Sequence, residues 1–188
     1  MNPTIDLTFA RNWTAEILPR RPLILPQRHF TYPREAEEIE RGALEVLIHP
    51  ADADPFLATC ALGFADPSAP TGLWSCPGSS QICVLSGGYA YLIDTANPQL
   101  FTHLPLRPVL EVRALPEHNL LLFAGHHSLL AWGAEAAAWQ SGRLSWEGIN
   151  ILDIGIDEIH GLGWDLLTDR DVPFTVDLHT GKHTGGIV

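Results

Sequence analysis

The sequence has no long hydrophobic run. Its 188 residues contain no stretch of about 18 consecutive apolar residues, the length that a membrane-spanning helix requires. The first residues also lack a basic end followed by an apolar stretch and a small-residue cleavage site, so we expect no secretion signal. These absences predict a cytoplasmic protein with no membrane partner.

Cysteine is also scarce. Cys60, Cys76 and Cys83 are odd in number and form no CxxC pair. This spacing argues against a disulfide framework and against a zinc knuckle. We therefore interpret all three as buried structural thiols in a reducing compartment.

Basic residues are few outside the N-terminal segment, and the net charge is −11. Residues 1–41 balance six arginines against six acids, whereas residues 42–188 carry 16 acids against five bases. An acidic body repels phosphate backbones, so we predict no nucleic-acid partner. The acidity either keeps a β-rich protein soluble or attracts a basic protein partner.

Sequence motifs of the common enzyme classes are absent. The chain has no P-loop, no GxGxxG fingerprint, no GxSxG elbow and no HExxH pair, so we predict no cofactor, and the catalytic residues are unknown. Asp165, Asp169 and Asp171 lack the register of a calcium-binding loop and are interpreted as turn residues.

The N-terminal residues 1–42 are rich in proline. Because proline removes a backbone donor and fixes φ, this segment is predicted to be an extended arm that packs across the body, not a helix or a central strand. Residues 33–42 begin with proline, carry several glutamates and end on Gly42. They predict either a short helix or a strand that crosses the glycine.

From residue 43 onward the pattern is typical of β structure. Residues 43–72 predict a β hairpin and a loop, because two apolar segments flank a turn rich in Pro and Asp. Residues 80–94 and 118–132 then superpose without gaps at an offset of 38, each as a strand, a two-residue turn and a second strand. A third copy places residues 157–165 on the first strand and, after an insertion, VPFTVDLHTG on the second.

The segments between these copies supply two further short strands each. Four short strands in a period of about 40 residues are typical of propeller blades. The ending DLHTGK resembles the strand and TG turn that close blades in pyrroloquinoline-quinone-type and WD-type propellers, over residues 74–188. The phrase GLGWDLLTDRDVPFTVDLHTG resembles the C-terminal end of a family of small bacterial proteins without an assigned activity. These resemblances imply a bacterial protein built from blade-like β units.

The sequence therefore predicts one mainly β domain, residues 1–188, in which residues 73–188 form three antiparallel propeller-like repeats. Three units do not close a ring, since propellers usually have at least about four blades. Either the hairpin at 43–64 supplies a fourth sheet, giving a compact propeller or a β-sandwich, or the propeller is incomplete and a second copy of the chain covers its open edges as a homo-oligomer.

Histidines at the predicted turn tips are the candidate metal ligands. His126 and His127 occupy the turn of the second copy, and His179 and His183 flank the turn HTGKH. If the repeats stack, these side chains converge and form a metal site. Turn and surface histidines explain the same residues without a metal.

Tryptophans of the repeats allow two interpretations. Trp132, Trp139, Trp146 and Trp164 either fill the space between packed sheets or line a ligand groove. The sequence as a whole favours a non-catalytic binding or scaffolding protein, with a basic protein as the specific partner. The alternative is a metal-dependent hydrolase that uses the histidines at the hairpin turns.

Overall fold

A computed structural model describes residues 3–34, 41–63 and 69–187. Within these ranges the chain is mainly β, with four sheets, none closed into a barrel, and no α-helix. The predicted mainly β class is confirmed. Most of the segment 33–42, with its predicted short helix or strand, lies outside the described residues. No helix in the described ranges is long and apolar enough to cross a membrane.

The chain divides into two compact units, Met1–Pro108 and Val109–Val188. Each unit contains two of the four sheets. The single-domain organisation expected from the sequence stays a prediction.

The first unit holds a five-stranded and a four-stranded sheet. The five-stranded sheet has the order β1 (Thr4–Asp6), β6 (Gly72–Ser75), β7 (Gln81–Ser86), β8 (Tyr89–Asp94) and β9 (Phe101–His103). The four-stranded sheet has the order β2 (Trp13–Leu18), β4 (Ala43–Pro50), β5 (Phe56–Ala61) and β3 (His29–Tyr32). The antiparallel pair β4–β5 confirms the hairpin predicted at 43–64 and shows that it belongs to a fourth sheet.

The N-terminal strands β1, β2 and β3 all lie at sheet edges. β1 and β3 run parallel to β6 and β5, and β2 runs antiparallel to β4. Pro3, Pro19 and Pro33 lie directly outside these strands. Proline therefore removes no ladder hydrogen bond, which is how a segment this rich in proline can join two sheets.

The second unit consists of two antiparallel meanders. One has the order β10 (Glu111–Leu115), β11 (Leu120–Ala124), β12 (Leu129–Trp132) and β13 (Ala137–Gln140). The other has the order β14 (Ile149–Ile154), β15 (Glu158–Asp165), β16 (Arg170–Asp177) and β17 (His183–Gly185). The hairpin predicted as a third copy is the pair β15–β16, and β17 is an additional strand beside it.

The first two predicted hairpins, β7–β8 and β11–β12, are each the middle pair of four consecutive antiparallel strands. Their turns, however, do not match at the predicted offset. Ser86 pairs with Tyr89 around Gly87 and Gly88, whereas the Gly125 N–H donates to the Ser128 carbonyl, 3.1 Å away, around the two histidines. The histidine turn is therefore equivalent to Gly87-Gly88, not to Gly88-Tyr89 as the gapless superposition predicted.

Each unit has its own apolar core. In the first unit the core includes Val46, Ile82 and Tyr91, and in the second it includes Leu129, Trp139 and Phe174. The cysteines Cys60, Cys76 and Cys83 are free and buried, and desolvation raises the pKa of each thiol. The interpretation as structural thiols is confirmed.

Candidate functional site

The four histidines predicted as metal ligands lie at separate turns of the second unit. His126 and His127 form the turn between β11 and β12, and their ring centroids are 6.0 Å apart. The Nδ1 atom of His127 lies 3.2 Å from the carbonyl oxygen of Ser145. A carbonyl oxygen only accepts, so this ring nitrogen carries the proton and does not offer a lone pair to a metal.

The other two histidines flank the turn between β16 and β17. His179 Nε2 lies 3.1 Å from Asp157 Oδ1, and His183 Nδ1 lies 3.2 Å from the carbonyl oxygen of Gly185. Across the described ranges, no group of three or more His, Cys, Asp or Glu side chains is placed so that it could hold a metal ion. The metal site predicted from the sequence thus has no ligand cluster to support it and stays a prediction.

We expect the purified protein to contain far less than one equivalent of zinc, manganese or iron per chain, because a tight site needs three or four converging ligands. Elemental analysis after dialysis measures this directly. One equivalent of metal that disappears in both His179→Ala and His183→Ala would contradict the expectation and identify the predicted ligands.

A groove opens in the second unit between three turns. Its two adjoining hollows have volumes of about 340 and 330 Å³ and share Glu117 and His118. The first hollow is lined by residues 114–118 and 154–156. The second is lined by Glu117, His118, Leu120, Ala138, Trp139, Leu178 and His179. Asp157 and Glu158 follow Ile156 directly in the chain and are exposed, and Asp157 Oδ1 lies 3.1 Å from Nε2 of His179, a residue of the second hollow. We call the two hollows together with these two acidic residues the acidic groove.

Short hydrogen bonds hold the three turns in place. The 3-10 turn Pro116–His118 ends at Asn119, whose φ of 54° lies in the left-handed region that asparagine tolerates. The Gly155 N–H donates to the Glu158 carbonyl over 2.8 Å and closes the β14–β15 turn. The Leu178 N–H donates to the Asp157 carbonyl, also over 2.8 Å, and joins that turn to the segment after β16.

Asp177 organises the turn that carries His179. Its Oδ1 atom accepts from the Thr180 hydroxyl at 2.7 Å, from the Thr180 N–H at 2.7 Å and from the His179 N–H at 3.0 Å. These bonds, with the Thr180 hydroxyl first, hold the pKa of Asp177 below its ordinary value. The carboxylate therefore stays ionised at neutral pH and adds negative charge beside the groove.

The acidic groove combines apolar walls with exposed carboxylates. Pro116 and Ile156 line the first hollow, and Ile156 is 81% exposed. The carboxylates of Glu117, Asp157 and Glu158 are exposed. Glu158 has a weak partner in His160, 3.6 Å away. Such a surface can accept an apolar side chain and a neighbouring cation at the same time.

Hollows in the first unit differ in charge from this groove. One of about 310 Å³ lies beside β3 and includes His29 and Arg34, and its described lining residues carry no carboxylate. Another of about 660 Å³ lies between β1 and β2, is lined mainly by apolar residues and has Glu16 as the single acid among its described lining residues.

A buried polar network lies in the sheet next to the first of these hollows. The Thr59 hydroxyl donates to Glu45 Oε2 over 2.6 Å, and both residues are buried. His29 Nε2 lies 3.0 Å from the same hydroxyl oxygen. Since the single hydroxyl proton points to Glu45, the Thr59 oxygen accepts a hydrogen bond from the N–H of His29 Nε2. Burial and, second, the positive charge of Arg21 lower the pKa of His29, which is therefore neutral at pH 7.

Sequence reasoning identified His179 and Trp139 but missed the other residues of the acidic groove. Glu117, Ile156 and Asp157 come from two turns that are far apart in the chain, and nothing in their local pattern marks them as neighbours. The sequence features that could have indicated the groove are the isoleucine between Gly155 and Asp157 in DIGIDE and the predicted turn PEHN. Of the repeat tryptophans, Trp132 and Trp139 are buried, as expected for side chains that fill the core.

No known family profile and no curated relative matches the chain. A solved structure described as a variant of S. cerevisiae Dbp5 bound to Nup159, a variant of Gle1, IP6 and ADP contains a chain with a TM-score of 0.40 and 10% identity. The match covers 98% of this chain and 52% of that one. The N-terminal domain of Nup159 gives a TM-score of 0.37 and 12% identity over 97% of this chain and 52% of that chain. The chain thus spans about half the length of these structures, and similarity this low carries no argument about function.

Proposed function

We propose that the chain is a non-catalytic, cytoplasmic binding protein whose protein partner presents a basic, apolar segment to the acidic groove. The observation that carries the proposal is the combination of a hollow bounded by Pro116 and Ile156 with the exposed carboxylates of Glu117, Asp157 and Glu158. A binding role needs no catalytic group, and the described residues offer no metal cluster for the alternative of a metal-dependent hydrolase.

The two parts of the groove contribute in different ways. An apolar side chain that enters the hollow gains about 25 cal/mol for each Å² of apolar surface removed from water. Exposed ion pairs contribute only about 0.2–1 kcal/mol each, so the carboxylates chiefly select the partner and speed its approach. The proposal therefore requires both an apolar anchor and a nearby Lys or Arg in the partner.

We also infer that the sheets are blade-like units of a propeller-type array. Three runs of four consecutive antiparallel strands, each with a hairpin at its centre, support this inference. The residues of the acidic groove come from two of these sheets, β10–β13 and β14–β17.

A displayed peptide library, selected against the intact protein, tests the proposed function. We expect the enriched peptides to pair an apolar residue with Lys or Arg, and we expect their binding to weaken as salt is raised. The triple variant Glu117→Gln, Asp157→Asn, Glu158→Gln should bind them about tenfold more weakly, the effect of three exposed ion pairs.

A matched triple variant provides the control. Glu135→Gln, Asp169→Asn and Asp171→Asn remove the same number of exposed carboxylates away from the groove, and binding should be unchanged. Enrichment of acidic peptides, enrichment of none, or an equal loss in both triple variants would each overturn the proposed function.

A further inference from the structure

The loop between β2 and β3 exposes large aliphatic side chains. Within residues 19–28, Leu23 is 99% exposed and Ile24 is 89% exposed, and Leu25 is exposed beside them. Exposed apolar residues that are adjacent, rather than scattered singly, mark interaction surfaces. We call this segment, PRRPLILPQR, the apolar loop.

The apolar loop is stiff at its tip and anchored at its end. Pro22 and Pro26 enclose the three aliphatic residues, and each proline fixes one backbone dihedral. The Arg28 carbonyl accepts the Leu57 N–H at 3.0 Å, and the Arg28 guanidinium donates to the Asp54 carbonyl. A segment held in this way loses little conformational entropy when it binds.

Arginines flank the aliphatic tip. Arg20 and Arg21 precede it and are exposed, and Arg21 Nε lies 3.9 Å from Glu45 Oε1. The loop itself contains no acidic residue. It therefore presents an apolar anchor next to positive charge on a protein whose net charge is −11.

We propose that the apolar loop of one copy docks into the acidic groove of a second copy. Leu23 or Ile24 would enter the hollow beside Pro116 and Ile156, and Arg20 would face the exposed carboxylates at its rim. The inference rests on the proposed function, because it uses the same groove. The chemistry that the groove requires of a partner, an apolar anchor beside a cation, is the chemistry that the loop presents.

This contact joins two different surfaces. Copies joined by a loop-to-groove contact form either a reciprocal two-fold dimer or a head-to-tail ring or open chain. It would also cover the two most exposed aliphatic side chains of the apolar loop. The association is expected to weaken at high salt because arginine faces carboxylates across it.

Analytical ultracentrifugation of the full chain tests the inference. The wild type should form oligomers that grow with protein concentration, and the variant Leu23→Ser, Ile24→Ser should remain a monomer. The variant Leu166→Ser, Leu167→Ser is the matched control, since it removes an exposed aliphatic pair (55% and 79% exposed) from a different loop. It should associate like the wild type. A wild type that stays monomeric, or equal loss of association in both variants, would overturn the inference.

Charge exchange tests the pairing directly. Arg20→Glu and Glu158→Lys should each weaken self-association about tenfold, and a mixture of the two variants should restore it between unlike copies. Failure of the mixture to associate, with both variants folded, would show that these residues do not face each other. Circular dichroism of each variant verifies the fold.

A synthetic peptide of residues 19–28 separates this inference from the proposed function. It should bind the monomeric Leu23→Ser, Ile24→Ser variant and lose about tenfold in affinity for the groove triple variant. If library peptides bind the groove but this peptide does not, the self-association is wrong and the proposed function stands. If neither peptide binds, both the self-association and the proposed function are wrong.

Phosphatidylserine vesicles test the remaining alternative, a lipid surface. If the apolar loop drives binding to these vesicles while the protein stays monomeric, its partner is a lipid surface and the inference is overturned.

Discussion

Replacement of Trp139 by alanine is expected to lower the free energy of unfolding by about 3–5 kcal/mol, the range for emptying a large buried aromatic site. The indole is buried in the core of the second unit together with Leu144 and Ile151. Its Nε1 donates to the Leu178 carbonyl over 2.6 Å. The substitution therefore leaves both a cavity and a carbonyl without its donor.

The same substitution should weaken ligand binding at the acidic groove. Trp139 lines the second hollow, and a Cβ at Gly181 would lie 2.7 Å from its ring, so the turn that carries His179 rests against the indole. Gly181 also has a φ of +69°, a conformation that glycine adopts readily and larger residues rarely do, so a larger side chain at this position is a poor replacement for the lost ring. Loss of the ring thus removes support from one wall of the groove.

Two comparisons make the Trp139 prediction specific. Trp139→Phe keeps most of the buried surface but loses the hydrogen bond, and should cost about 1–3 kcal/mol. Trp146→Ala removes a half-buried ring that stacks with the Arg143 guanidinium, 4.0 Å from its centroid, and should cost no more than about 1–2 kcal/mol. Urea unfolding measures all three. An equal cost for Trp139→Ala and Trp146→Ala would show that the buried indole has no special role.

The strands that are buried on both faces could be predicted from the sequence. Every residue of Phe56–Ala61 and of Leu129–Trp132 is buried, and all of them except Thr59 are apolar. Strands of this kind have a strong sequence signal because the core dictates each position. The strands β1 and β17 escaped prediction, since each has three residues, lies at a sheet edge and buries little.

The one-residue error in the repeat has a physical cause. The gapless superposition matched apolar residues, and the faces of a strand alternate with a period of two. The conformation of the turn depends on the turn residues themselves and not on this apolar pattern. Gly87 and Gly88 both have positive φ, of 55° and 81°, whereas neither histidine of the equivalent turn does. Two different turns can therefore follow similar strands, and the apolar pattern alone does not reveal the difference.

The candidate site was predicted less well than the fold because its parts come from separate turns. A histidine identified by its position at a turn tip says nothing about which other turn approaches it. His179 meets Asp157 through the bond between Leu178 and the β14–β15 turn, a tertiary contact without a local signal. The acidity of the second part of the chain is the sequence feature on which the proposal of a basic partner rests.

The network of His29, Thr59 and Glu45 shows the same limit, since its members lie on β3, β5 and β4. β5 pairs with β3 on one side and with β4 on the other, and nothing in the sequence indicates the parallel pairing with β3. Because the network is buried, its hydrogen bonds matter for stability. Polar groups in this position are costly to leave without partners.

Thr59→Val is accordingly expected to lower the free energy of unfolding by about 2–3 kcal/mol, because it leaves a buried carboxylate without its donor at nearly constant side-chain volume. Thr59→Ser retains the hydroxyl and should cost about 1 kcal/mol, the loss of one methyl group. Urea unfolding at pH 7 measures the difference. Equal costs for the two variants would mean that the hydroxyl proton is not what matters at this position.

The network should also make stability depend on pH. Burial and Arg21 lower the pKa of His29 below its ordinary 6.5, with Glu45 acting in the opposite direction. At pH values between the folded and the unfolded pKa of His29, the unfolded chain binds more protons than the folded chain. The contribution of His29 to the free energy of unfolding is therefore complete above pH 6.5 and declines as the pH falls. His29→Gln should therefore show a shallower loss of stability from pH 7 to pH 5 than the wild type.

The other groups with shifted pKa values do not interfere in this pH range. Asp165 and Asp177 have lowered pKa values and lose their contributions to stability only near and below pH 4, outside the range from pH 7 to pH 5. Parallel wild-type and His29→Gln curves between pH 7 and pH 5 would contradict the neutral state assigned to His29, in which Nε2–H donates a hydrogen bond to Thr59.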